Sequence, residues 1–254
     1  MFWLGAPKAD WLAKLEIPLM VSYRTLQGRR TFPRATCEWI QDSGGFTELE
    51  RNGTYLTSAQ NYADATVRHL AEIGGLAHAA VQDWMCEDHV LAKTGLSVEQ
   101  HQANTTASLL DLRELAPAVP WMPVLQGRVI GDYLRHIEAY TRAGVDLGRE
   151  ALVGVGTVCR RQNAVIGAQL IGALHATGLK LHAFGFKVTG ILRARDWLYS
   201  TDSMAWSLDG RYPQGGRCAR VRDHKQCVNC MTYALKWRAR LLTRLGQTLM
   251  WSAA

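Results

Sequence analysis

The stretch Ala35–Phe46, ATCEWIQDSGGF, contains the pattern from which we predict the fold. Its first part, Ala35–Gln41, is a short run with apolar residues, and a polar segment with two glycines follows it from Asp42 onward. Short apolar runs between polar ends are typical of buried β-strands. Similar runs with polar or glycine-bearing ends recur along the chain at Leu76–Gln82, Trp121–Leu125, Ala151–Val153, Lys180–Phe184 and Trp197–Thr201.

Between these runs lie segments in which apolar residues recur with the spacing of one helix face. In one of them Val165, Ile166 and Leu170 are followed by Ala173 and Leu174, at intervals of three and four residues. This periodicity predicts an amphipathic helix. We predict helices of this kind at Ala63–Ile73, Asp132–Arg142 and Ala164–Ala176.

Strands that alternate with helices predict parallel β/α units. With Phe2–Gly5 and the region near Cys218 as outer members, we predict an α/β fold, a (β/α)8 TIM-type barrel with a small C-terminal zinc-binding segment. A doubly wound open sheet is the alternative. We assign residues 1–210 to the barrel body, and residues 211–254 to the basic zinc-binding segment and a C-terminal helix packed on the barrel. No dinucleotide fingerprint is present, because Gly154-Val155-Gly156 lacks the third glycine.

The composition is that of a globular protein. The chain has 254 residues, of which 48% are hydrophobic and 20% charged, which excludes a disordered, collagen-like or disulfide-scaffold chain. No apolar stretch approaches the roughly 18–20 residues that a membrane-spanning helix needs. The first residues, MFWLGAPKADWL, lack the features of a secretory signal. We expect a soluble, intracellular protein with no membrane partner.

Positive charge is concentrated near the C-terminus. The chain carries a net charge of +7, and the segment Arg211–Arg244 holds nine basic residues and one acid. That segment therefore contributes +8, and the remaining residues sum to −1. A positive end on a nearly neutral body indicates contact with a polyanion such as nucleic acid, since each phosphate contact releases a counterion. A solvated basic helix is the alternative.

Polar side chains follow several predicted strands at the end where a barrel enzyme has its active site. They are Asp42, Asp83, Gln126 and Asp202. One such aspartate is usually a turn former or a helix cap. Two carboxylates in one cleft, however, suit a nucleophile and a general acid/base in glycosyl transfer. We expect Thr54–Tyr62 and Thr94–Ala107 to form loops over this cleft.

The cysteines fall into two groups. Three isolated ones are expected to be buried, reduced thiols: Cys37, Cys86 and Cys159. The others lie close together in the pattern Cys218-x5-His224-x2-Cys227-x2-Cys230, whose spacing predicts a structural zinc. His224 is the open choice among these ligands, because it also suits a phosphate contact. His182 is expected to be a satisfied core or strand histidine rather than a ligand.

Several of these motifs resemble those of one enzyme superfamily. Asp42–Phe46 resembles the DSGGF signature of tRNA-guanine transglycosylases, and Val124–Gly127 resembles the VQG strand end of that family. Leu152–Gly156 is similar to its glycine-containing stretch, and the late Cys-x2-Cys is similar to its zinc site. The motifs occur in the same order, from about Trp39 to about Lys236. The short chain is most like the compact DNA 7-deazaguanine transglycosylases (DpdA-like proteins) of phages and bacteria.

The resemblance implies a barrel enzyme, a pentosyltransferase, that exchanges guanine in DNA for 7-cyano-7-deazaguanine through a covalent aspartyl intermediate. It makes Asp202 the nucleophile at the sugar C1′ and Asp42 the general acid/base, with Asp83 and Gln126 on the base edge. It also implies further substrate-binding positions at Ser43, Gly44, Gly45, Phe46, Gly127, Gly154, Gly156, Phe186 and Lys187. The implied structural zinc would be held by Cys218, His224, Cys227 and Cys230.

The chain departs from the family pattern in two places. The usual Cys-x-Cys-x2-Cys with a distant histidine is absent, and Asp196 and Asp209 flank Asp202 as rival nucleophiles. The rival functions are the same exchange on tRNA, a purine glycosidase, a sugar-specific barrel glycosidase and a non-enzymatic zinc-stapled nucleic-acid-binding module. The expected partners are DNA rather than tRNA, a free 7-deazaguanine base and, as an open choice, a second copy of the chain. The expected compartment is the cytoplasm of a bacterium or of a phage-infected host.

Overall fold

The structure is a computed structural model and describes residues 1–158, 164–212 and 226–246. Its strands are β1 Phe2–Ala6, β2 Leu19–Ser22, β3 Trp39–Asp42, β4 Leu76–Ala80, β5 Trp121–Met122, β6 Val124–Leu125, β7 Val153–Val155, β8 Leu181–Ala183 and β9 Ser200–Ser203. Its helices are α1 Trp11–Lys14, α2 Tyr23–Leu26, α3 Gly45–Asn52, α4 Ala59–Glu72, α5 Asp88–Thr94, α6 Val98–Leu115, α7 Ile130–Arg142, α8 Ala164–His175, α9 Val188–Ala194, α10 Ala205–Asp209 and α11 Met231–Arg244.

The strands form one parallel sheet that is nearly closed into a barrel. The order is β5-β4-β3-β2-β1-β9-β8-β7-β6, and every recorded pairing is parallel. The two end strands, β5 and β6, are separated along the chain by a single residue, Pro123. Proline has no N–H to donate to a ladder, but its carbonyl still accepts from the Gly154 N–H at 2.8 Å. The first and last strands of the sheet, β5 and β6, therefore belong to one short segment, so the sheet is nearly closed. This confirms the barrel-like α/β prediction and excludes the open-sheet alternative.

Strand β2 was not predicted from the sequence, and an outer strand was predicted near Cys218 instead. Strand β2 lies between β1 and β3, with Leu4 opposite Leu19 and Ser22 opposite Asp42. It escaped detection because it has four residues and passes directly from Ser22 into α2, without an intervening polar or glycine-bearing segment. Cys218 lies outside the described residues, and the barrel order is complete without it.

The three predicted helices are present as α4, α7 and α8. The expectation of loops over the cleft was wrong for most of Thr94–Ala107, because α6 begins at Val98. Its start is fixed by a capping box in which Ser97 accepts from the Gln100 N–H and the Gln100 side chain accepts from the Ser97 N–H. In the stretch Thr54–Tyr62 the prediction of a loop was correct up to Ser58, and α4 begins at Ala59.

The described part of the C-terminal segment packs on the barrel. In α11, Tyr233, Trp237 and Leu241 are buried in the main apolar core, and the Trp237 ring lies 6.1 Å from that of Phe2. The backbone carbonyl of Gly210 accepts from the Cys227 N–H at 2.8 Å. No helix in the described ranges combines the length and the apolar character needed to cross a bilayer.

Candidate active site

Four polar side chains meet at the carboxyl edge of the barrel. Asp42 is the last residue of β3, Gln126 directly follows β6, Asp83 follows β4 by three residues, and Asp202 lies in β9. Burial raises the pKa of Asp42 and of Asp83, and the charge of Asp202 adds to the first shift and the charge of Asp42 to the second. The carboxyl ends of parallel strands therefore assemble three carboxylic acids and one amide, as the strand-end pattern predicted.

The Asp42–Gly45 turn holds two of these acids in place. The Gly44 N–H donates to Asp42 Oδ2 at 3.0 Å, and the Ser43 hydroxyl donates to Asp83 Oδ1 at 2.9 Å. Gly44 has φ = +75°, a conformation that favours glycine. Burial raises the pKa of Asp42, a hydrogen bond from Ser22 opposes this shift, and the charge of Asp202 adds to it. The raised pKa favours the protonated form of Asp42.

Asp83 and Gln126 form a fixed pair. Gln126 Nε2 donates to Asp83 Oδ2 at 2.5 Å, and the Thr157 hydroxyl donates to Gln126 Oε1 at 2.7 Å. The hydroxyl therefore orients the amide, with its NH2 group toward the carboxylate. Burial, with the Asp42 charge next in size, raises the pKa of Asp83 to about 7, against the hydrogen bonds from Ser43 and Gln126.

Two residues of this site were not predicted from the sequence. Tyr55 Oη donates to the Asp83 carbonyl at 2.9 Å, and a Cβ at Gly45 would lie 2.1 Å from Tyr55 Oη. Thr157 has φ = +55°, which a β-branched residue rarely adopts, and it also receives the Cys86 N–H at 2.9 Å. No local signal identifies either one: Tyr55 belongs to an irregular segment, and the backbone of Thr157 is set by tertiary contacts.

Asp202 is held through one carboxylate oxygen. The Gly185 N–H donates to Oδ1 at 2.8 Å, whereas Oδ2 has no hydrogen bond to any described residue. The rival positions differ. Asp196 is 83% exposed beside Arg195, and Asp209 accepts from the Trp237 Nε1–H at 2.9 Å. Of the three candidates, Asp202 is the one whose charge acts on Asp42.

The predicted glycines make close contacts of different kinds. A Cβ at Gly156 would lie 2.1 Å from Gln126 Nε2, so glycine is required beside the Asp83–Gln126 pair. A Cβ at Gly154 would instead meet the Phe184 ring at 2.5 Å, and one at Gly127 would meet the Asp132 Cβ at 2.7 Å. Of these three glycines, Gly156 is therefore in direct contact with the pair.

The remaining predicted substrate residues lie at different depths. Phe46 is half-buried and packs against a small cluster of Leu49, Met85 and Val90. Phe186 is 2% exposed, and its ring contacts the glycines of α8 and α9 at positions 167 and 190. Lys187 is exposed and precedes α9. Its exposure leaves Lys187, unlike Phe186, accessible to a polyanion.

Two clefts flank the carboxylic acids. One, of about 730 Å³, is lined by Cys86, Glu87, Arg128 and Thr157 among others, and so borders Gln126. The other, of about 490 Å³, includes Arg24, whose side chain lies against Gly44. Neither cleft is lined by the three acids themselves, and each borders the site through a neighbouring side chain, Thr157 or Arg24.

Half of the predicted zinc ligand set lies within the described residues. Cys227 and Cys230 are not joined in a disulfide, and the Cys230 N–H donates to the Cys227 carbonyl at 3.3 Å, which closes a tight turn. Such a turn fits the chemistry of a two-thiolate zinc knuckle. Cys218 and His224 lie outside the described ranges, as does Cys159, and no group of three metal-binding side chains occurs within those ranges.

The other predicted thiols have different surroundings. Cys86 is buried as expected, and burial, with the Glu87 charge, raises the pKa of its thiol. Cys37 is half-buried rather than fully buried, and its thiol pKa is also raised by burial. A raised thiol pKa opposes formation of the reactive thiolate.

Comparison with known proteins agrees with this arrangement of motifs. No curated protein matches the chain at a significant level. A family model described as DpdA, DeoxyPurine in DNA protein A, matches residues 1–252, almost the whole chain. With its nearly closed parallel barrel and the acids at its carboxyl edge, the chain belongs to the DpdA family.

Proposed function

We propose that this protein is a DNA guanine transglycosylase that exchanges guanine in DNA for a 7-deazaguanine base, 7-cyano-7-deazaguanine, through a covalent aspartyl intermediate. Membership of the family, DeoxyPurine in DNA protein A, supports a transglycosylase-type enzyme that modifies DNA. The observation that carries the proposal is the opposed pair Asp42 and Asp202. One of these acids is prepared to hold a proton, and the other presents an oxygen without a partner among the described residues.

Two displacements account for the exchange. Asp202 Oδ2 forms a bond to C1′ while the bond from C1′ to N9 breaks, and the electron pair leaves with guanine, which takes a proton from Asp42. The incoming 7-deazaguanine then gives its N9 proton to Asp42 and attacks C1′, which releases the Asp202 carboxylate. Two inversions retain the configuration at C1′. The raised pKa of Asp42 suits a residue that gives and then regains a proton.

The Asp83–Gln126 pair provides a surface for the base edge. Guanine presents N–H donors on its Watson–Crick edge, for which a carboxylate is a suitable acceptor and an amide a partner in both directions. The absence of a Cβ at Gly156 lets the Gln126 amide lie directly against the backbone. Because a 7-deazaguanine differs from guanine at position 7, a pocket that reads this edge accepts both bases. The target nucleotide must leave the helix stack to expose C1′.

A zinc ion would serve the fold rather than the reaction. Cys227 and Cys230 would hold it together with Cys218 and His224. Four protein ligands fill a tetrahedral site, and zinc bound in this way contributes free energy of folding. At the start of α11, these two cysteines would tie the C-terminal helix to the barrel.

Isotope exchange tests the proposal directly. Labelled guanine or labelled 7-cyano-7-deazaguanine is offered together with duplex DNA, single-stranded DNA or tRNA, and the label in each polymer is counted. We expect label in DNA. Label in tRNA alone would overturn the substrate, and no label in any polymer would favour a non-enzymatic nucleic-acid-binding protein.

Trapping identifies the nucleophile. Denaturation during turnover should leave a covalent protein–DNA adduct in the wild type, and the adduct should be absent in Asp202→Ala. The matched control is Asp209→Asn, which removes a nearby carboxylate that is bound to Trp237. An adduct that persists in Asp202→Ala would assign the attack to another residue.

A further inference from the structure

His182 is a buried histidine with one satisfied and one unsatisfied ring nitrogen. It lies in β8 with no exposed surface, and Nδ1 is 2.8 Å from the Ser200 hydroxyl. Nε2 has no hydrogen bond, and it lies 3.4 Å from Asp202 Oδ1. The expectation of a satisfied core histidine was therefore only half correct. A buried polar nitrogen without a partner is costly and calls for an explanation.

The neighbours of the ring select one tautomer. If Ser200 donates its hydroxyl proton to Nδ1, the ring proton lies on Nε2 and faces Asp202 Oδ1. The opposite tautomer would direct the lone pair of Nε2 at a carboxylate oxygen, which is repulsive. Ser200 is 2% exposed, so its hydroxyl orients the ring and does not reach a substrate. An ionised Asp202 therefore favours the Nε2–H form.

Other ionisable groups face this pair from across the barrel. Asp42 on β3 interacts with both Asp202 and His182, and Asp83, Tyr55 and Tyr62 interact with Asp42 in turn. Strand β4 contributes a second histidine, His78, whose pKa is lowered to about 4 by burial and by His182. His78 is neutral at pH 7, so the nearest charges are negative, and a donor directed at Asp202 offsets their effect on it.

We propose that His182 is a positioning residue of the exchange reaction, whose Nε2–H faces Asp202 Oδ1, orients the carboxylate through this oxygen and leaves Oδ2 for the attack on C1′. This inference rests on the proposed function. During the attack His182 keeps its proton: the charge of Asp202 is consumed by the new bond to C1′, and the electron pair of the broken bond leaves with guanine. In the second displacement the carboxylate re-forms against the donors Gly185 N–H and His182 Nε2–H.

The first test is the pH profile of adduct formation in single turnover. In His182→Leu we expect the rate at neutral pH to fall about 10- to 100-fold, the range for one hydrogen bond to a charged group. A neutral donor that faces a carboxylate favours its charged form, and His182→Leu lacks this donor. The acidic limb of the profile should therefore move to higher pH, and alkaline solution should restore part of the rate. His182→Gln, whose amide also donates, should recover most of the wild-type profile.

His78→Leu is the matched control. It removes the other barrel histidine, which has no hydrogen bond to a described residue, and the acidic limb should stay in place. A loss in His182→Leu that is equal at all pH values, without recovery in His182→Gln, would show a packing role and overturn the inference.

The second test needs neither activity nor a variant at His182. The ring nitrogen chemical shifts of His182, measured by NMR in the full chain, should show the proton on Nε2 at neutral pH. In Asp202→Asn this preference should weaken, because the anion that selects it is gone. A proton on Nδ1 in the wild type would overturn the inference. If the wild type forms no adduct with DNA, the proposed function fails, and the ring shifts alone decide whether His182 holds Asp202.

Discussion

At the scale of single residues, Asp83 has an unusual ionisation that makes stability depend on pH. Burial raises its pKa from an ordinary value of about 4 to about 7, so between these pH values the folded protein holds a proton that the unfolded chain has released. The contribution of Asp83 to the free energy of unfolding should therefore fall as pH rises through this range, whereas His78, whose pKa is lowered to about 4, contributes with the opposite sign. Because Asp42 and Asp83 interact, we expect a contribution of about 1–2 kcal/mol, well below the limit of roughly 4 kcal/mol for three pH units.

Asp83→Asn removes this titration. Between pH 5 and pH 7.5, urea denaturation should show that the free energy of unfolding of the wild type decreases relative to that of the variant. Asp196→Asn, which removes an exposed carboxylate, serves as the control and should follow the wild type. Parallel pH dependences of Asp83→Asn and the wild type would contradict the prediction.

The polar residues of the site differed in how far they were visible in the sequence. Asp42, Asp83, Gln126 and Asp202 were found because each stands where an apolar run ends, and parallel strands bring such ends together. Tyr55 and Thr157 were missed because their roles depend on contacts across the barrel edge. For His182 the burial was predictable. The unpaired Nε2 was not, since it results from the register between β8 and β9.

At the scale of elements, the turn from β3 to α3 depends on the conformation of Gly44. Its positive φ favours glycine, and an added Cβ would lie 2.7 Å from the Arg24 Cγ. Gly44→Ala should destabilise the fold by more than about 1 kcal/mol, the ordinary cost of a side chain at such a position. It should also shift Asp42, whose Oδ2 receives the Gly44 N–H, and a misplacement of about 1 Å costs roughly 100-fold in rate.

Gly28 provides the matched control for that turn. It has φ = +74° with no atom within 4 Å of an added Cβ. Gly28→Ala should show the backbone cost in thermal denaturation but should keep the base-exchange rate. Equal losses of exchange rate in the two variants would contradict a specific role of the Asp42–Gly45 turn.

The Cys227–Cys230 turn is the element that zinc should stabilise. We expect one zinc per chain after dialysis, and Cys227→Ser or Cys230→Ser should abolish it because each removes a thiolate. Loss of metal-binding free energy should lower the Tm by more than about 5 °C. Cys37→Ser, at an isolated cysteine, should retain the metal. Wild-type protein that contains no zinc, and whose Tm equals that of the Cys227→Ser and Cys230→Ser variants, would disprove the zinc prediction.

Strands and helices were predictable to different degrees for physical reasons. Helices α4 and α7 show the apolar spacing that packing against a sheet requires. Helix α8 is present as predicted, but Val165 and Ile166 of its predicted apolar face are exposed. Strand β2 has four residues and passes directly into α2. The break between β5 and β6 comes from Pro123, within a run that looks continuous in the sequence. The barrel could be predicted because its closure needs only the alternation of strands and helices, not the boundaries of each strand.

At the scale of the whole molecule, part of the net charge of +7 lies on α11, one of the helices that the structure describes. Lys236, Arg240 and Arg244 are exposed at intervals of four residues, and so lie along one face of this helix. None of them forms an ion pair with an acid in the ranges that the structure describes. Arg240 also lies over the Tyr233 ring, 6.0 Å from its centroid. A row of exposed cations of this kind fits the phosphates of a DNA backbone.

Salt dependence measures that contact. Changing Lys236, Arg240 and Arg244 together to Gln should reduce the slope of log affinity for DNA against log salt by about two to three, since each lost phosphate contact contributes about 0.9. The control removes three charges elsewhere by changing Lys14, Arg142 and Arg149 to Gln. Each of these is exposed and paired with an acid three or four residues away. Both triple variants have the same net charge, but only the α11 face is predicted to contact phosphate. The slope of the control should therefore match that of the wild type. Equal slopes for the two variants would mean that net charge alone, rather than this helix face, governs binding to DNA.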